Sequence, residues 1–169
     1  YAGEMVYVAL AAIRDAELAL AEIGAALGVA ENAARTWTDL LTERLRSTST
    51  LLVLDNLEQI ADVANALAEL VEACPDLQIV ATSRVPLRIR AEHCFKLDVL
   101  DLPPASSDAS DLQAFGATAL FLQTWERLHR NRPEIDRQDR AAIAAICRHL
   151  DGLPLAIEIA ASHCYERTP

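Results

Sequence analysis

The feature that most constrains the fold is a short apolar run, Leu51 to Leu54, that stops at Asp55. A run of this length between polar residues predicts a strand that is buried on both faces of a parallel sheet. After it, apolar residues recur at helical spacing: Ile60, Val63, Ala64, Leu67 and Val71. The stretch therefore predicts a βα unit with Asp55 at the carboxyl end of its strand, where open α/β sheets bind ligands. A carboxylate there is a common partner of Mg²⁺ in phosphate-binding folds; the alternative is that Asp55 caps the next helix.

Charge and cysteine content narrow the function classes. The formal net charge of −10 argues against direct nucleic acid contact from these residues, because neutralising phosphates needs clustered Lys and Arg. No apolar run reaches membrane-spanning length, so we expect no membrane partner. The four cysteines form no CxxC pair, which favours buried free thiols over metal ligands and a reduced, cytoplasmic location.

The chain contains a single lysine, Lys96, and no glycine lies close before it. A phosphate-binding loop of the form G-x-x-x-x-G-K-S/T is therefore not present in these residues. We expect that the chain cannot bind nucleotide phosphates through such a loop.

Alternating short strands and helices are predicted over residues 1–101, and this order indicates a parallel sheet with helices on its faces. The further strands are predicted at Glu4 to Leu10, Leu77 to Ala81 and Cys94 to Val99, and the helices after Asp15 and over roughly Asn32 to Arg46. The polar, proline-containing stretch 102–111 predicts a linker.

Residues 112–169 are predicted to be all-helical. One helix is expected over Leu112 to His129, and Asp136 is expected to cap the next. Gly152 is then expected to end that helix and Pro154 to begin another, the usual positions of both residue types.

Three stretches in one order carry a family resemblance: LLVLDNLE (51–58), VATSR (80–84) and LDGLPLAIEIAA (150–161). Together they resemble the signal-transducing P-loop ATPases of the STAND class, close to the NB-ARC type. More narrowly, the chain is similar over essentially its whole length to the ATPase modules of bacterial LuxR-type and SARP-type transcriptional regulators. The resemblance implies a parallel-sheet P-loop NTPase core, lacking its first strand and phosphate loop, followed by a small all-helical subdomain.

The resemblance also implies roles for individual residues. Asp55 matches the Walker B acid that holds Mg²⁺, and Arg84 matches the sensor arginine that reads the terminal phosphate. Pro154 matches the proline that packs near the nucleotide base. A carboxylate and a guanidinium at neighbouring strand ends suit a phosphate–metal site. The structural alternative is an Asp55–Arg84 ion pair that only stabilises loops.

One position departs from the family pattern in a way that bears on hydrolysis. Asn56, a predicted cofactor-binding residue, stands where many NB-ARC proteins carry a second acid. An amide cannot act as a general base. Glu58 is the nearest other carboxylate and the remaining catalytic candidate beside Asp55, although it suits equally an acid in the first helical turn. We therefore expect slow hydrolysis or none.

In the family, the phosphate loop would precede residue 1, and its strand would lie between the strand ending at Thr82 and the one starting near Cys94. Without it, two strand edges and an apolar slot would be uncovered. We expect the gap to be filled by a partner or a neighbouring chain or closed by rearrangement, and the isolated chain to self-associate through its exposed sheet edges.

The function predicted from these observations is part of an ATP- or ADP-dependent signalling switch in a bacterial transcriptional regulator. We expect nucleotide and Mg²⁺ in the intact protein and neither in this chain alone, which would be inactive as an ATPase. Its expected partners are the other domains of the parent regulator. The alternative is a nucleotide-free interaction or scaffold module that keeps the NTPase fold. A stand-alone enzyme is the least supported, because no nucleophile–base constellation is recognisable.

Overall fold

A computed structural model of the protein describes residues 1–60, 62–104, 112–128 and 135–164. The chain divides into two compact units, Tyr1–Phe95 and Lys96–Pro169, and each is described by itself. The predicted linker at 102–111 stays a prediction, because residues 105–111 lie outside the described part of the chain.

The first unit is a mixed α/β structure, as the alternation of strands and helices predicted. Helix α1 (Ala16–Ala26) begins where the Asp15 carboxylate accepts a hydrogen bond from the Leu18 N–H group. Helix α2 (Trp37–Leu45) begins five residues later than Asn32, because Thr36 and Asp39 form a reciprocal capping box. In chain order the elements are β1 (Glu4–Ala9), α1 (Ala16–Ala26), α2 (Trp37–Leu45), β2 (Thr50–Asp55), a 3₁₀ helix (Leu57–Gln59), α3 (Val63–Ala73) and β3 (Leu77–Ala81).

The three strands form a parallel sheet in the order β1-β2-β3. Val8, Leu52 and Leu54 point to one face and pack in a single core with residues of α1, α2 and α3. This packing confirms the predicted parallel sheet and its helical cover on that side. The prediction placed helices on both faces of the sheet. All three helices instead pack in the core of one face.

The opposite face of the sheet, which we call the open face, carries Met5, Tyr7, Leu51, Val53 and Val80. Leu51 and Val53 are half-buried, and the other three are more than half exposed. The prediction that β2 is buried on both faces is therefore wrong for this chain. A continuous apolar run does not reveal whether a second layer is present to cover it.

The strand predicted at Cys94 to Val99 is also wrong: the structure has no strand in that segment. Phe95 is 87% exposed and Leu97 is 85% exposed. An alternating pattern produces a strand only where a neighbouring strand offers backbone partners, and this requirement is not visible in the local sequence.

The second unit is helical within its described residues, as predicted. Its elements are a 3₁₀ helix (Leu112–Ala114), α4 (Gly116–Leu128), α5 (Arg137–His149) and α6 (Pro154–His163). The predicted single helix from Leu112 breaks before Gly116, whose N–H group is bound by the Asp101 carboxylate at 2.9 Å; His129 lies outside the described residues. Asp136 caps α5 as predicted, in a capping box with Asp139.

All four cysteines are free. Cys74 and Cys147 are buried, as predicted, each in the core of its own unit. Cys94 and Cys164 are exposed, so the prediction of buried thiols is wrong for these two. No helix in the described residues is both long enough and apolar enough to cross a membrane.

Candidate functional site

Asp55 ends the middle strand of the sheet, and its carboxylate is held from both neighbouring strands. Oδ1 accepts a hydrogen bond from the Thr82 hydroxyl, and Oδ2 accepts one from the Tyr7 hydroxyl at 3.1 Å. Thr82 directly follows β3, and its N–H group donates to the Leu54 carbonyl at 2.9 Å, which extends the parallel ladder. A side chain from each of the three strands therefore meets at this edge.

Strand register explains why Tyr7 reaches Asp55. Ala9 is the residue of β1 opposite Asp55, and Tyr7 lies two positions earlier, opposite Val53. Residues two apart on a strand share a face, so Tyr7, Ala9, Val53 and Asp55 all project from the open face. The methyl side chain of Ala9 leaves space beside the carboxylate for the tyrosine hydroxyl.

The chain turns sharply directly after Asp55. Asn56 has φ 68 and ψ 51, a left-handed conformation that Asn adopts more readily than most residues. Its N–H group donates to the Thr82 hydroxyl oxygen at 3.0 Å, and the Leu57 N–H group donates to the Thr82 carbonyl at 3.0 Å. Since Leu57 is fully buried, the turn is anchored both to β3 and to the core.

Arg84 and Glu58 form an ion pair next to this turn. Arg84 Nε donates to Glu58 Oε1 at 2.9 Å, and the Arg84 side chain is 79% exposed while that of Glu58 is 10% exposed. The alternative of an Asp55–Arg84 ion pair is therefore wrong, because the guanidinium pairs with the other carboxylate. Glu58 lies in the first turn of the 3₁₀ helix. A hydrogen bond from its own backbone N–H group, followed by the bond from Arg84, lowers the pKa of its carboxyl.

The interpretation of Asp55 as a helix cap is also wrong. Asp62 occupies the N-cap position of α3 and Asn56 that of the 3₁₀ helix. The Asp55 carboxylate instead accepts hydrogen bonds from two hydroxyl groups, those of Tyr7 and Thr82.

In the helical unit, Gly152 and Pro154 have the predicted structural positions. Gly152 has φ 69 after the end of α5, and its N–H group donates to the Cys147 carbonyl at 3.2 Å. Pro154 is the first residue of α6, where its missing N–H group leaves no bond unmade. The nucleotide contact implied for Pro154 stays a prediction.

The chemistry of the strand-end cluster fits Mg²⁺ bound together with phosphates. Mg²⁺ prefers hard oxygen ligands and is commonly held by one or two carboxylates, phosphate oxygens and water. Asp55 supplies such a carboxylate, and Arg84, whose side chain is exposed, supplies a cation that a phosphate could bind. Within the described residues, no group of three or more His, Cys, Asp and Glu side chains could hold a metal by itself. The cluster therefore does not fit a stand-alone metal site.

Sequence reasoning identified Asp55, Asn56, Glu58 and Arg84, which the structure brings to one edge of the sheet. It missed Tyr7 and Thr82. A signal for Thr82 was present, since it is the first hydroxyl residue after a strand that ends beside Asp55. Tyr7 carried no such signal, because only the register of β1 on β2 brings it close.

The chain is similar in sequence to parts of longer mycobacterial proteins. No family model matches the chain. A Mycobacterium tuberculosis protein provisionally named an HTH-type transcriptional regulator is 33% identical over 166 residues, which cover 96% of this chain and 17% of that protein; a Mycobacterium bovis protein of the same provisional name matches equally. An uncharacterized Mycobacterium tuberculosis protein is 29% identical over 161 residues, covering 95% of this chain and 38% of its own length. The chain thus spans about a sixth of the length of the regulators it matches.

Proposed function

We propose that this chain is the nucleotide-sensing part of a bacterial transcriptional regulator, in which ATP or ADP with Mg²⁺ sets the signalling state. The observation that carries the proposal is the strand-end cluster: a carboxylate fixed at the end of the middle parallel strand, with an exposed arginine after the next strand. The similarity to longer proteins named as HTH-type regulators supports the regulatory context.

Each residue of the cluster has a role in the proposal. Asp55 holds a water ligand of Mg²⁺ or the ion itself, while the ion, when bound, neutralises charge on the phosphates. Arg84 leaves Glu58 and binds a phosphate oxygen. This exchange is favourable because a phosphate offers the guanidinium more acceptor oxygens and more charge than one carboxylate does. The Arg84–Glu58 pair is then the nucleotide-free arrangement.

The same residues favour a slow reaction over a fast one. Asn56 cannot accept a proton from an attacking water. A hydrogen bond from its own backbone N–H group, which does not involve Arg84, lowers the pKa of the Glu58 carboxyl and makes it a weaker base. The protein is therefore at most a slow ATPase, and its output is a conformational state controlled by nucleotide exchange.

The phosphate loop implied by the family resemblance is not in these residues, so tight nucleotide binding needs it from elsewhere in the natural protein. The role of Pro154 beside the nucleotide base belongs to the same proposal and rests on the family resemblance. The net charge of −10 suits a cytoplasmic module whose partners are the other domains of the regulator and which leaves DNA contact to them.

A second candidate is a nucleotide-free interaction module. The exposed apolar side chains of the open face favour it, since they lie on neighbouring strands and contiguous exposed apolar groups commonly mark protein interfaces. In that case the cluster around Asp55 only fastens the strand ends together.

Calorimetric titration with ATP and ADP, with and without Mg²⁺, tests the proposal in the natural full-length protein and in this chain alone. We expect binding in the full-length protein, loss of the Mg²⁺ dependence in Asp55→Ala and weaker binding in Arg84→Ala. The matched controls are Asp98→Ala and Arg35→Ala, which remove exposed charges from ion pairs elsewhere. Absence of nucleotide binding in the full-length protein would refute the proposal and favour the interaction module.

A further inference from the structure

We propose that Tyr7 is a positioning residue whose hydroxyl fixes the Asp55 carboxylate and thereby sets the affinity of this site for Mg²⁺. The inference rests on the proposed function and adds to it a residue that lies 48 positions away in the chain. Its chemistry is a phenol donating to the metal-binding acid from the neighbouring strand.

Two hydrogen bonds hold the Asp55 carboxylate. A single donor holds one oxygen and lets the carboxylate plane rotate about that bond. Here Thr82 binds Oδ1 and Tyr7 binds Oδ2, so the two donors fix the plane together. A carboxylate has about four lone-pair sites, which leaves acceptor capacity on both oxygens for Mg²⁺ or its water ligands.

Packing in the core does not explain why a tyrosine stands at position 7. The residue is 61% exposed on the open face, so its ring contributes little to the core. The hydroxyl bond to Asp55 is its specific contact, and the same bond raises the pKa of the Tyr7 phenol. Phenylalanine would fill the same space without orienting the acid.

The orientation of a metal ligand affects the affinity of its site for the metal. Groups that hold a metal ligand by a hydrogen bond commonly change metal affinity by about 10- to 100-fold when they are removed. Tyr7 holds Asp55 by such a hydrogen bond, and Thr82 holds the other carboxylate oxygen in the same way.

The chain offers a matched control for removal of the hydroxyl. Tyr1 is 56% exposed, and its hydroxyl shares a hydrogen bond with the Ser49 hydroxyl at 3.0 Å. Ser49 precedes β2, whereas Asp55 ends it, so Tyr1→Phe removes a similar exposed bond at the opposite end of the strand.

The experiment measures ADP binding to the natural full-length protein over a range of Mg²⁺ concentrations. The variants are Tyr7→Phe, Tyr1→Phe, Asp55→Asn and the double variant of Tyr7→Phe with Asp55→Asn. We expect Tyr7→Phe to raise the half-saturating Mg²⁺ concentration about tenfold and to leave metal-free ADP affinity unchanged. Tyr1→Phe should match the unmodified protein. In the Asp55→Asn background, Tyr7→Phe should add nothing.

Three results would overturn the inference. If Tyr7→Phe behaves like Tyr1→Phe while Asp55→Asn removes the Mg²⁺ dependence, the proposed function stands and the role of Tyr7 is refuted. If Tyr7→Phe weakens ADP binding equally with and without Mg²⁺, its effect is structural and the role is again refuted. If the unmodified protein shows no Mg²⁺-dependent binding, the proposed function and the role of Tyr7 fail together.

Discussion

The two units each contain a family-like motif, but the motifs are built in different ways. In the α/β unit, the motif around Asp55 consists of side chains that bind one another across three strands. In the helical unit, the motif around Gly152 consists of backbone geometry, a helix stop followed by a helix start. The first kind of motif can contact a ligand through its side chains, whereas the second shapes the chain.

Asn56 and Gly152 make the contrast specific, because both have positive φ values that are almost the same, 68 and 69. A Cβ atom at Gly152 would lie 2.3 Å from the Leu100 carbonyl oxygen. A left-handed turn alone therefore admits asparagine, as at position 56. The close approach of another backbone segment is what requires glycine at position 152.

The largest expected effect is at the backbone motif. Gly152→Ala should destabilise the helical unit by about 3 kcal/mol, through left-handed strain and the clash with the Leu100 carbonyl. Gly28→Ala is the matched control. Gly28 has φ 70 with nothing within 4 Å of its Cβ position, so only the strain of about 1 kcal/mol should remain.

Thiol labelling assigns that effect to one unit. Cys147 is fully buried in the helical core and Cys74 is fully buried in the α/β core, so labelling of each thiol requires opening of its own core. Burial also raises the pKa of Cys147 to about 11. Gly152→Ala should speed labelling of Cys147 and leave Cys74 unchanged. Equal costs for the two glycine substitutions would contradict the role given to the Leu100 contact.

The next effect is at the side-chain motif. Thr82→Val keeps the shape of the side chain but removes the hydroxyl that joins Asp55 to the Asn56 N–H group. We expect a loss of about 1 kcal/mol in the free energy of unfolding of the α/β unit, measured by denaturant titration. Thr82→Ser should recover most of it. If valine and serine behave alike, the hydroxyl does not hold the strand ends.

A smaller effect is expected from Pro154→Ala. Proline suits the first position of α6 by limiting the unfolded chain, so its removal should lower stability by about 0.5 kcal/mol. In the full-length protein, the proposed contact with the base also predicts weaker ATP and ADP binding. Unchanged nucleotide affinity would leave Pro154 a purely structural residue and would sharpen the difference between the two motifs.

The smallest effect is a pH dependence that involves Glu58. Its pKa is lower in the folded protein than in the unfolded chain, so it stabilises the fold above its ordinary pKa of about 4.5. That contribution is lost as the pH falls below this value. The free energy of unfolding of Glu58→Gln should therefore fall less steeply in acid. Asp39, whose pKa the Thr36 hydroxyl lowers, should contribute to the remaining pH dependence in both proteins. An unchanged slope would contradict the bonding described for Glu58.

Local features of the sequence predicted much of the fold. Asp15, Asp136, Gly152 and Pro154 mark helix ends as expected, because capping and turn formation depend on residues a few positions apart. Features that depend on distant partners were not predictable in this way. The exposure of the open face depends on which layers cover the sheet. The segment 94–99 could form a strand only beside the edge of another strand.

The candidate site divides along the same line. Asp55, Asn56, Glu58 and Arg84 follow strands that could be located in the sequence. Tyr7 could be found only from the register that sets Ala9 against Asp55, since a shift by one residue would turn its side chain to the other face.

Hydrogen–deuterium exchange of the natural full-length protein tests most directly whether nucleotide binds at the carboxyl ends of β2 and β3, as we propose. Amide exchange would be measured with and without Mg²⁺ and ADP. We predict that the ligand slows exchange over residues 55–58 and 82–84, and that Asp55→Asn reduces this protection. Protection confined to other parts of the protein, or no change on adding ADP and Mg²⁺, would contradict the account.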